Sequence, residues 1–389
     1  MPIEPMAADL RLLVINAASL TSGGGKTVLM HLLRTLAAAK PSGWRAKVFV
    51  SDARDLPAAA HISYVESRRR KGGWARRVWL ELFGLRRALR GETVDTFLSM
   101  QGANARLRAR RKFVYCQNAN GLVLPRWPVV FGNPRIAMLN LAYGLLYRFG
   151  IGRGPVVIVQ QNWLRETFAE RFGLDKCIVA HPIGTAGAAR RIKPARPGAE
   201  RCEILYPLGA LPHKNAETLC EAARLLAGRF PDMFRVTLTL TGDENSYAAR
   251  LWDRYGKIPG IAFVGSLPEA ELEALYDRSD LLVFPSRVES WGLPLTEAKE
   301  HGLGILAADL PYAHETIGDY DGADFFDPDD AAALAERIAD CWSGRRPLCA
   351  VSWPTPPQPY APDWHALVAF ILGETTGCPD SSRSGFEAG

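Results

Sequence analysis

The stretch Leu281–His301 reads LLVFPSRVESWGLPLTEAKEH. Its first four residues form an apolar run as long as one buried strand, and Pro285 ends that run. From Leu295 onward the residues favour helix, so the stretch predicts a strand, a loop and a helix. Glu289 then lies in the loop at the carboxyl end of the strand, and Glu297 lies in the first turns of the helix. In an open α/β sheet, ligands bind at this edge.

The start of the predicted helix is also a candidate anion site. The backbone N–H groups of Gly292 and Leu293 would point outward there, and Gly292 has no side chain to keep a phosphate away. Carboxylates accept hydroxyl donors, so Glu289 and Glu297 beside an anion site suit a ligand with both hydroxyls and phosphates. Spacing alone favours the alternative, ordinary surface glutamates, since acidic residues are common at helix N-termini.

The segment Glu289-Ser-Trp-Gly-Leu-Pro-Leu-Thr-Glu297 resembles the E-x7-E signature of retaining glycosyltransferases of family 4, which have the GT-B fold. Residues around this segment also match the sequence pattern of the family: Val283–Ser286, Ala298, Gly302, Gly304, Ala308–Pro311 and His314-Glu315. The resemblance covers most of the second half of the chain, and the first half matches more loosely.

The resemblance implies transfer of a hexose or deoxyhexose, such as mannose or rhamnose, from a nucleotide-diphosphate sugar. The acceptor would be a hydroxyl of a glycan or lipid-linked molecule in cell-surface polysaccharide or lipopolysaccharide synthesis. Glu289 would hold the sugar hydroxyls as a catalytic residue, and Glu297 the ribose hydroxyls. Ser290, Gly292 and Leu293 would complete the donor site.

Composition and charge indicate a soluble protein with two unlike halves. The 389 residues are 48% hydrophobic and 23% charged, without an apolar stretch of about 20 residues or a signal-peptide pattern. Seven scattered cysteines without a CxxC pair indicate reduced thiols and a cytoplasmic location. Residues 1–190 carry 29 basic and 11 acidic residues, whereas residues 191–389 carry 18 and 30. A basic first half predicts an anionic partner.

The first half opens with a predicted strand over 10–16, a glycine-rich loop and a helix over 28–39. The loop is not a P-loop, because position 20 is Leu where that motif requires glycine. By resemblance, Gly24 and Gly25 of this loop contact the donor. A flexible turn is the alternative.

A basic, tryptophan-containing helix is predicted from Trp74 to Arg90. It would either lie on the inner face of an anionic membrane or pack on the sheet with its arginines solvated. Nucleic-acid binding has no supporting motif. A second apolar helix, 133–149, is too short to span a bilayer and is predicted to pack.

Two further predicted strands, 94–100 and 112–116, end in polar loops. Gln117 and Asn118 follow the second strand, where many family members have a histidine. An amide binds sugar hydroxyls but is no base, so these two residues are placed on the acceptor side and no general base is assigned.

In the second half, Lys214 follows a predicted strand and is well placed for a diphosphate. We assign it a catalytic role, and His213 to donor binding beside it. The family usually has an arginine about five residues before the lysine, where this chain has Gly209. By resemblance Gly209 lines the donor site, and the turns at Gly242 and Gly265 frame the nucleobase.

The sequence thus predicts two Rossmann-like α/β domains facing across a cleft. The boundaries are 1–187 for the basic acceptor domain, 188–201 for a linker, 202–348 for the acidic donor domain, 349–375 for a returning helical segment and 376–389 for a disordered tail. No cofactor is predicted beyond the sugar donor, and no metal, since Asp319-Tyr320-Asp321 reads as a surface turn. The alternatives are a nucleotide-sugar epimerase and a non-catalytic nucleotide-sugar binding protein.

Overall fold

A computed structural model describes residues 10–21, 23–66, 83–119, 122, 144–152, 154–182, 192, 201–346, 348 and 353–374. These residues form two compact units. The first contains the described residues up to Leu122, those from 144 to 182 and those from Pro356 onward. The second contains residue 192 and the described residues from Arg201 to Thr355.

The first unit is built on an eight-stranded parallel sheet in the order β14-β7-β6-β5-β4-β1-β2-β3. The strands are β1 (Arg11–Asn16), β2 (Trp44–Val50), β3 (Ile62–Glu66), β4 (Thr96–Ser99), β5 (Arg111–Cys116), β6 (Val156–Val159), β7 (Cys177–Ala180) and β14 (Tyr360–Ala361). The helices are α1 (Gly23–Ala39), α2 (Leu85–Ala88), α3 (Asn162–Phe172) and α10 (Trp364–Leu372), with a π-helical turn at Leu146–Gly150. The central strands are apolar and buried on both faces, as parallel sheets require.

The second unit is built on a six-stranded parallel sheet in the order β10-β9-β8-β11-β12-β13. The strands are β8 (Cys202–Tyr206), β9 (Phe234–Leu238), β10 (Ile261–Phe263), β11 (Leu281–Phe284), β12 (Gly304–Ala308) and β13 (Ala323–Phe326). The helices are α4 (Ala216–Arg229), α5 (Ser246–Tyr255), α6 (Glu269–Arg278), α7 (Leu293–Glu300), α8 (Pro311–Ile317) and α9 (Ala331–Ser343).

Both sheets have the strand order 3-2-1-4-5-6 of a Rossmann fold, counted from the first strand of each unit. The order reverses between β1 and β4 in the first unit, and between β8 and β11 in the second. Loops leaving the two central strands at such a switch point diverge to opposite sides and leave a crevice. Each unit therefore has its own candidate ligand site.

The chain returns to the first unit near its end. Tyr360–Ala361 pairs with β7 at the edge of the sheet. Helix α10 packs on α1 and on the sheet, where Trp364 stacks on Tyr115 with 5.6 Å between ring centroids. The Arg111 guanidinium also donates to the Leu372 carbonyl oxygen at 2.9 Å. The last described helix therefore completes the core of the first unit.

The α/β fold class and most predicted elements are confirmed, with two errors in helix limits. Helix α1 begins at Gly23 rather than Val28, so Gly24 and Gly25 form its first turn and are not in a loop. The sequence pattern also predicts a helix over 327–339, but α9 begins at Ala331, because the Asp330 side chain caps it by accepting from the Ala333 N–H at 2.8 Å. Strands β3, β12 and β13 were not predicted.

Several sequence predictions lie outside the described residues. These are residues 74–82 of the basic helix, 133–143 of the apolar helix, the linker except residues 192 and 201, and the tail 376–389. None of the described helices combines the length and apolar composition needed to cross a bilayer. Among the described cysteines, all five are free thiols.

Candidate functional site

The switch point of the second unit is bridged by an ion pair between two residues that the sequence singled out. Lys214 ends a 3₁₀ turn, Pro212–Lys214, that follows β8, and Glu289 lies in the loop after β11. The lysine Nζ lies 2.6 Å from the glutamate Oε1, and the two side chains are only 18% and 12% exposed. The topology thus brings two residues 75 positions apart into one partly desolvated pair.

The backbone that carries Lys214 is held by buried polar side chains. Asn215 adopts a left-handed conformation, φ 54°, where asparagine is tolerated. Its amide nitrogen donates to the carbonyl oxygens of Pro285 at 3.1 Å and Pro328 at 2.9 Å. The Arg287 N–H donates to the His213 carbonyl oxygen at 2.8 Å. The turn after β8 is therefore fastened to the loop after β11, which fixes the geometry of the ion pair.

Helix α7 begins beside this ion pair, as predicted. Its N-cap is Gly292 at φ 89°, a conformation that favours glycine. A Cβ there would lie 3.2 Å from Leu295 Cδ1 and 3.4 Å from Phe284 Cε1. The Trp291 indole donates to the Thr296 hydroxyl at 2.9 Å and fixes the entry to the helix. The positive end of the helix dipole, with the Leu293 N–H, is thereby placed at the switch point.

Glu297 is mostly buried one turn into α7. Its Oε2 accepts a hydrogen bond from the Tyr276 hydroxyl of α6 at 2.5 Å. Burial raises the pKa of Glu297 above its ordinary value, and the Tyr276 hydrogen bond opposes that rise. The tyrosine engages one carboxylate oxygen, and a carboxylate has capacity for further donors.

His213 lies between the strand β8 and the lysine and is kept neutral. Burial lowers the pKa of His213, Glu289 opposes this and Lys214 adds to it, so that the pKa is about 4. A ring that is neutral at physiological pH binds a phosphate or a hydroxyl by one N–H donor, without adding charge. Lys214 then supplies positive charge beside Glu289.

Besides Gly292, three of the predicted donor-site glycines lie in the second unit: Gly209, Gly242 and Gly265. Gly242, φ 101°, packs so closely that a Cβ would lie 2.7 Å from Trp252 Cβ. Gly265, φ 76°, would place a Cβ 2.8 Å from Thr241 Cγ2. Both turns therefore require glycine for their own structure. Gly209 is exposed, and a Cβ there would meet nothing within 4 Å.

The switch point of the first unit is lined by neutral amides. The Ser19 hydroxyl, after β1, donates to Gln101 Oε1, after β4. The Gln101 amide nitrogen donates in turn to Asn16 Oδ1 at 3.2 Å. Gly25 lies beside Gln117, since a Cβ on this glycine would be 3.2 Å from Gln117 Oε1. The predicted glycine and acceptor-side residues thus meet within the first unit.

Asn118 contributes its backbone to this region, because its carbonyl oxygen accepts from the Tyr147 hydroxyl at 2.6 Å.

A cavity of about 290 Å³ opens beside the start of α1 and the end of β2. It is lined by Leu20, Thr21, Lys26, Leu29, Val50, Ser51, Asp52, Arg54, Asp55 and Leu56. Its hydroxyls, carboxylates and cations could hold a polar ligand the size of a sugar.

Three tyrosines that support the second switch point were missed from the sequence. The Tyr206 hydroxyl donates to the Lys214 carbonyl oxygen at 2.6 Å, and the Tyr312 hydroxyl donates to the Ser286 carbonyl oxygen at 2.5 Å. Tyr276, described above, donates to Glu297. Burial raises the pKa of all three phenols, so they remain donors at physiological pH. For Tyr206 the sequence contained a signal of such a role, because a residue with a polar tip ends an apolar strand. For Tyr276 and Tyr312 it contained none.

Across the described residues, no three His, Cys, Asp or Glu side chains are grouped closely enough to hold a metal ion. Lys214 and the start of α7 bring positive charge to the second switch point. A group with developing negative charge on phosphate oxygens would be stabilised there by fixed donors.

The chain is similar to known glycosyltransferases over much of its second unit. Residues 192–349 match the family model of glycosyl transferases group 1. The O-antigen chain mannosyltransferase B of Escherichia coli is 29% identical over 130 residues, which is 33% of this chain and 33% of that protein. The O-antigen chain mannosyltransferase RfbU of Salmonella typhimurium is 33% identical over 212 residues, 54% of this chain and 57% of that protein.

The chain thus aligns with about a third of the first relative and little more than half of the second. Among solved structures, Anabaena Alr3699/HepE in complex with UDP-glucose superposes with a TM-score of 0.56. That alignment covers 93% of this chain and 96% of HepE, at 14% identity, and supports the fold. Residues 192–349 are therefore similar to glycosyl transferases group 1, and the chain has the GT-B fold.

Proposed function

We propose that the chain transfers a sugar from a nucleotide-diphosphate sugar to a hydroxyl of a glycan or lipid-linked acceptor, in O-antigen or lipopolysaccharide synthesis. The observation that carries the proposal is the Lys214–Glu289 pair beside the start of α7. It combines a cation, a carboxylate and a helix N-terminus, the three groups needed for a diphosphate bearing a sugar. The names of the two mannosyltransferase relatives make mannose the first sugar to test.

In this proposal Lys214 keeps Glu289 as a partner and donates a second hydrogen bond to the leaving diphosphate, since an ammonium has three donors. Glu289 accepts sugar hydroxyls, and Glu297 accepts the ribose hydroxyls through the oxygen that Tyr276 does not engage. The N–H groups of Gly292 and Leu293 complete the phosphate site. Lysine and helix dipole together stabilise the charge that develops as the glycosidic bond breaks.

The acceptor is proposed to bind the first unit, in the 290 Å³ cavity beside α1 and near Gln117 and Asn118. The Asp52, Lys26 and Arg54 side chains of the cavity offer both signs of charge to a polar glycan. The basic first half is further proposed to bring the protein to an anionic membrane surface. Binding to anionic vesicles that falls steeply with salt tests that location, and equal partition to neutral vesicles contradicts it.

The test is turnover with defined donors. The full chain is incubated with GDP-mannose, UDP-glucose or UDP-galactose, with and without a lipid-linked oligosaccharide acceptor, and release of nucleoside diphosphate is measured. Acceptor-dependent release that Glu289→Gln abolishes supports the proposal. A changed nucleotide-sugar without acceptor would indicate an epimerase, and binding without any turnover would indicate a binding protein.

A further inference from the structure

His301, directly after helix α7, is held between two carboxylates of helix α6. Its Nδ1 lies 2.9 Å from Asp277 Oδ1, and its Nε2 lies 2.8 Å from Glu273 Oε2. The residue is 8% exposed. Its backbone N–H donates to the Glu297 carbonyl oxygen at 3.0 Å, so the ring projects from the same helical turn as Glu297.

These two contacts fix the orientation of the His301 ring, because a carboxylate lies within hydrogen-bond distance of each ring nitrogen. The titratable groups around it on both helices are Glu273, Tyr276, Asp277, Glu297 and Glu300.

The His301 ring packs on the tyrosine that holds Glu297. Its ring stacks on that of Tyr276 with 5.2 Å between centroids and 16° between planes. Tyr276 is fully buried, and its hydroxyl donates to Glu297 Oε2 at 2.5 Å. Helix α6 is therefore tied to one turn of α7 at two points, by His301 at one and Glu297 at the other.

We infer that His301 is a positioning residue that acts through Tyr276 to orient the Glu297 carboxylate toward the ribose of the donor. The inference rests on the proposed function. The carboxylates of Glu273 and Asp277 orient the His301 ring, and this ring packs on Tyr276. The Tyr276 hydroxyl donates to Glu297 Oε2 and so fixes the direction of Oε1. His301 touches no substrate in this arrangement, so it should set donor affinity and not the chemical step.

The experiment is a double-mutant cycle with His301→Phe and Tyr276→Phe, read by calorimetric binding of UDP and of GDP to the full chain. His301→Phe keeps an aromatic ring on Tyr276 and removes both carboxylate contacts. Each single variant should weaken binding of the nucleotide that wild type prefers by about five- to tenfold. The double variant should be no weaker than the poorer single variant, because both changes break one chain of contacts.

Turnover separates positioning from a general loss of structure. Both variants should raise the donor KM with kcat within about twofold of wild type, as expected when uniform binding is lost. Glu300→Gln, at the same helix end, is the matched control and should leave nucleotide binding unchanged. If His301→Phe does not fold, His301→Gln, which keeps one N–H donor, replaces it in the cycle.

The possible failures are distinguishable. Fully additive losses in the double variant, or a fall in kcat at constant KM, would overturn the positioning role while leaving the proposed function intact. Failure of wild type to bind any nucleoside diphosphate would overturn the proposed function, and the role of His301 with it.

Discussion

The two switch points share one topology and differ in chemistry. In the first unit, Ser19 and Gln101 bridge the loops after β1 and β4 with neutral hydrogen bonds. In the second, Lys214 and Glu289 bridge the corresponding loops after β8 and β11 with a partly buried ion pair. The strand order creates the crevice in both cases, whereas the side chains decide which ligand charge it accepts. The charged crevice suits a diphosphate, and the neutral one suits hydroxyls.

The largest effect is expected when the charge of the second switch point is removed. Lys214→Met should lower turnover by about 10²–10³-fold, because a fixed donor to the developing charge is lost. It should also lower the free energy of unfolding by about 3 kcal/mol, because Glu289 is left desolvated and unpaired. Steady-state kinetics and urea unfolding measure the two losses.

The matched control is the double variant Lys214→Met with Glu289→Gln. It removes the unpaired charge, so it should recover most of the stability and none of the turnover. Recovery of turnover, or wild-type turnover in Lys214→Met alone, would show that the ion pair is structural only.

The next effect concerns the helix that begins at the charged switch point. Gly292→Ala should cost about 1–2 kcal/mol of stability, because φ 89° is strained for any residue with a Cβ. It should also weaken nucleoside diphosphate binding, since the strain displaces the N-terminus of α7. Chemical denaturation and calorimetry test the two effects.

Gly344→Ala is the control for that prediction. Gly344 follows α9 at φ 71°, and a Cβ there meets nothing within 4 Å. It should lose a similar amount of stability and keep wild-type nucleotide affinity. Equal affinity in both variants would argue against a phosphate site at the start of α7.

His213 at the charged switch point is kept neutral by burial, and its titration gives a third prediction. Burial lowers the pKa of His213 to about 4, against about 6.5 in the unfolded chain. Between these two values the unfolded chain binds a proton that the folded chain does not, so stability rises with pH across the window. His213→Gln should reduce that rise by about 2 kcal/mol. Unfolding in urea at pH 4.5, 5.5 and 7 measures it.

His365→Gln is the comparison, because His365 is exposed on α10. It should leave the pH dependence of unfolding unchanged. If His213→Gln also leaves it unchanged, the ring of His213 is solvated in the folded protein.

The smallest stability effect is expected at the neutral switch point. Gly25→Ala replaces a helical glycine, which favours folding by about 0.5–1 kcal/mol, but the new Cβ would lie 3.1 Å from Leu20 Cδ2. The net change should stay within about 1 kcal/mol, while the acceptor KM rises because Gln117 must move. Gly228→Ala in α4 meets nothing within 4 Å and should stabilise without changing any KM. An unchanged acceptor KM in Gly25→Ala would remove this face from the acceptor site.

The sequence predicted the second unit better than the first, for a physical reason. Leu281–His301 contains its strand, loop and helix within 21 residues, so local pattern was enough to place Glu289 and the start of α7. The Lys214–Glu289 contact spans 75 positions and required the parallel sheet to bring the residues together. The helix start at Gly23 was missed because three glycines read as a loop, although tertiary packing makes them helical.

The support of the site was the least predictable part. The Tyr276 hydroxyl reaches Glu297 from α6, and the His301 ring stacks on Tyr276. Nothing in the local pattern distinguishes a phenol that holds a carboxylate from one that only packs.

The most direct test measures whether nucleotide binding requires the charged switch point of the second unit and not the neutral switch point of the first. Thermal unfolding of wild type, Lys214→Met and Gln117→Ala is followed with UDP and with GDP. A ligand that binds the folded state raises the melting temperature according to its affinity and concentration. The account predicts a shift with one nucleotide in wild type and Gln117→Ala, and none in Lys214→Met. A shift that survives Lys214→Met but disappears in Gln117→Ala would contradict it.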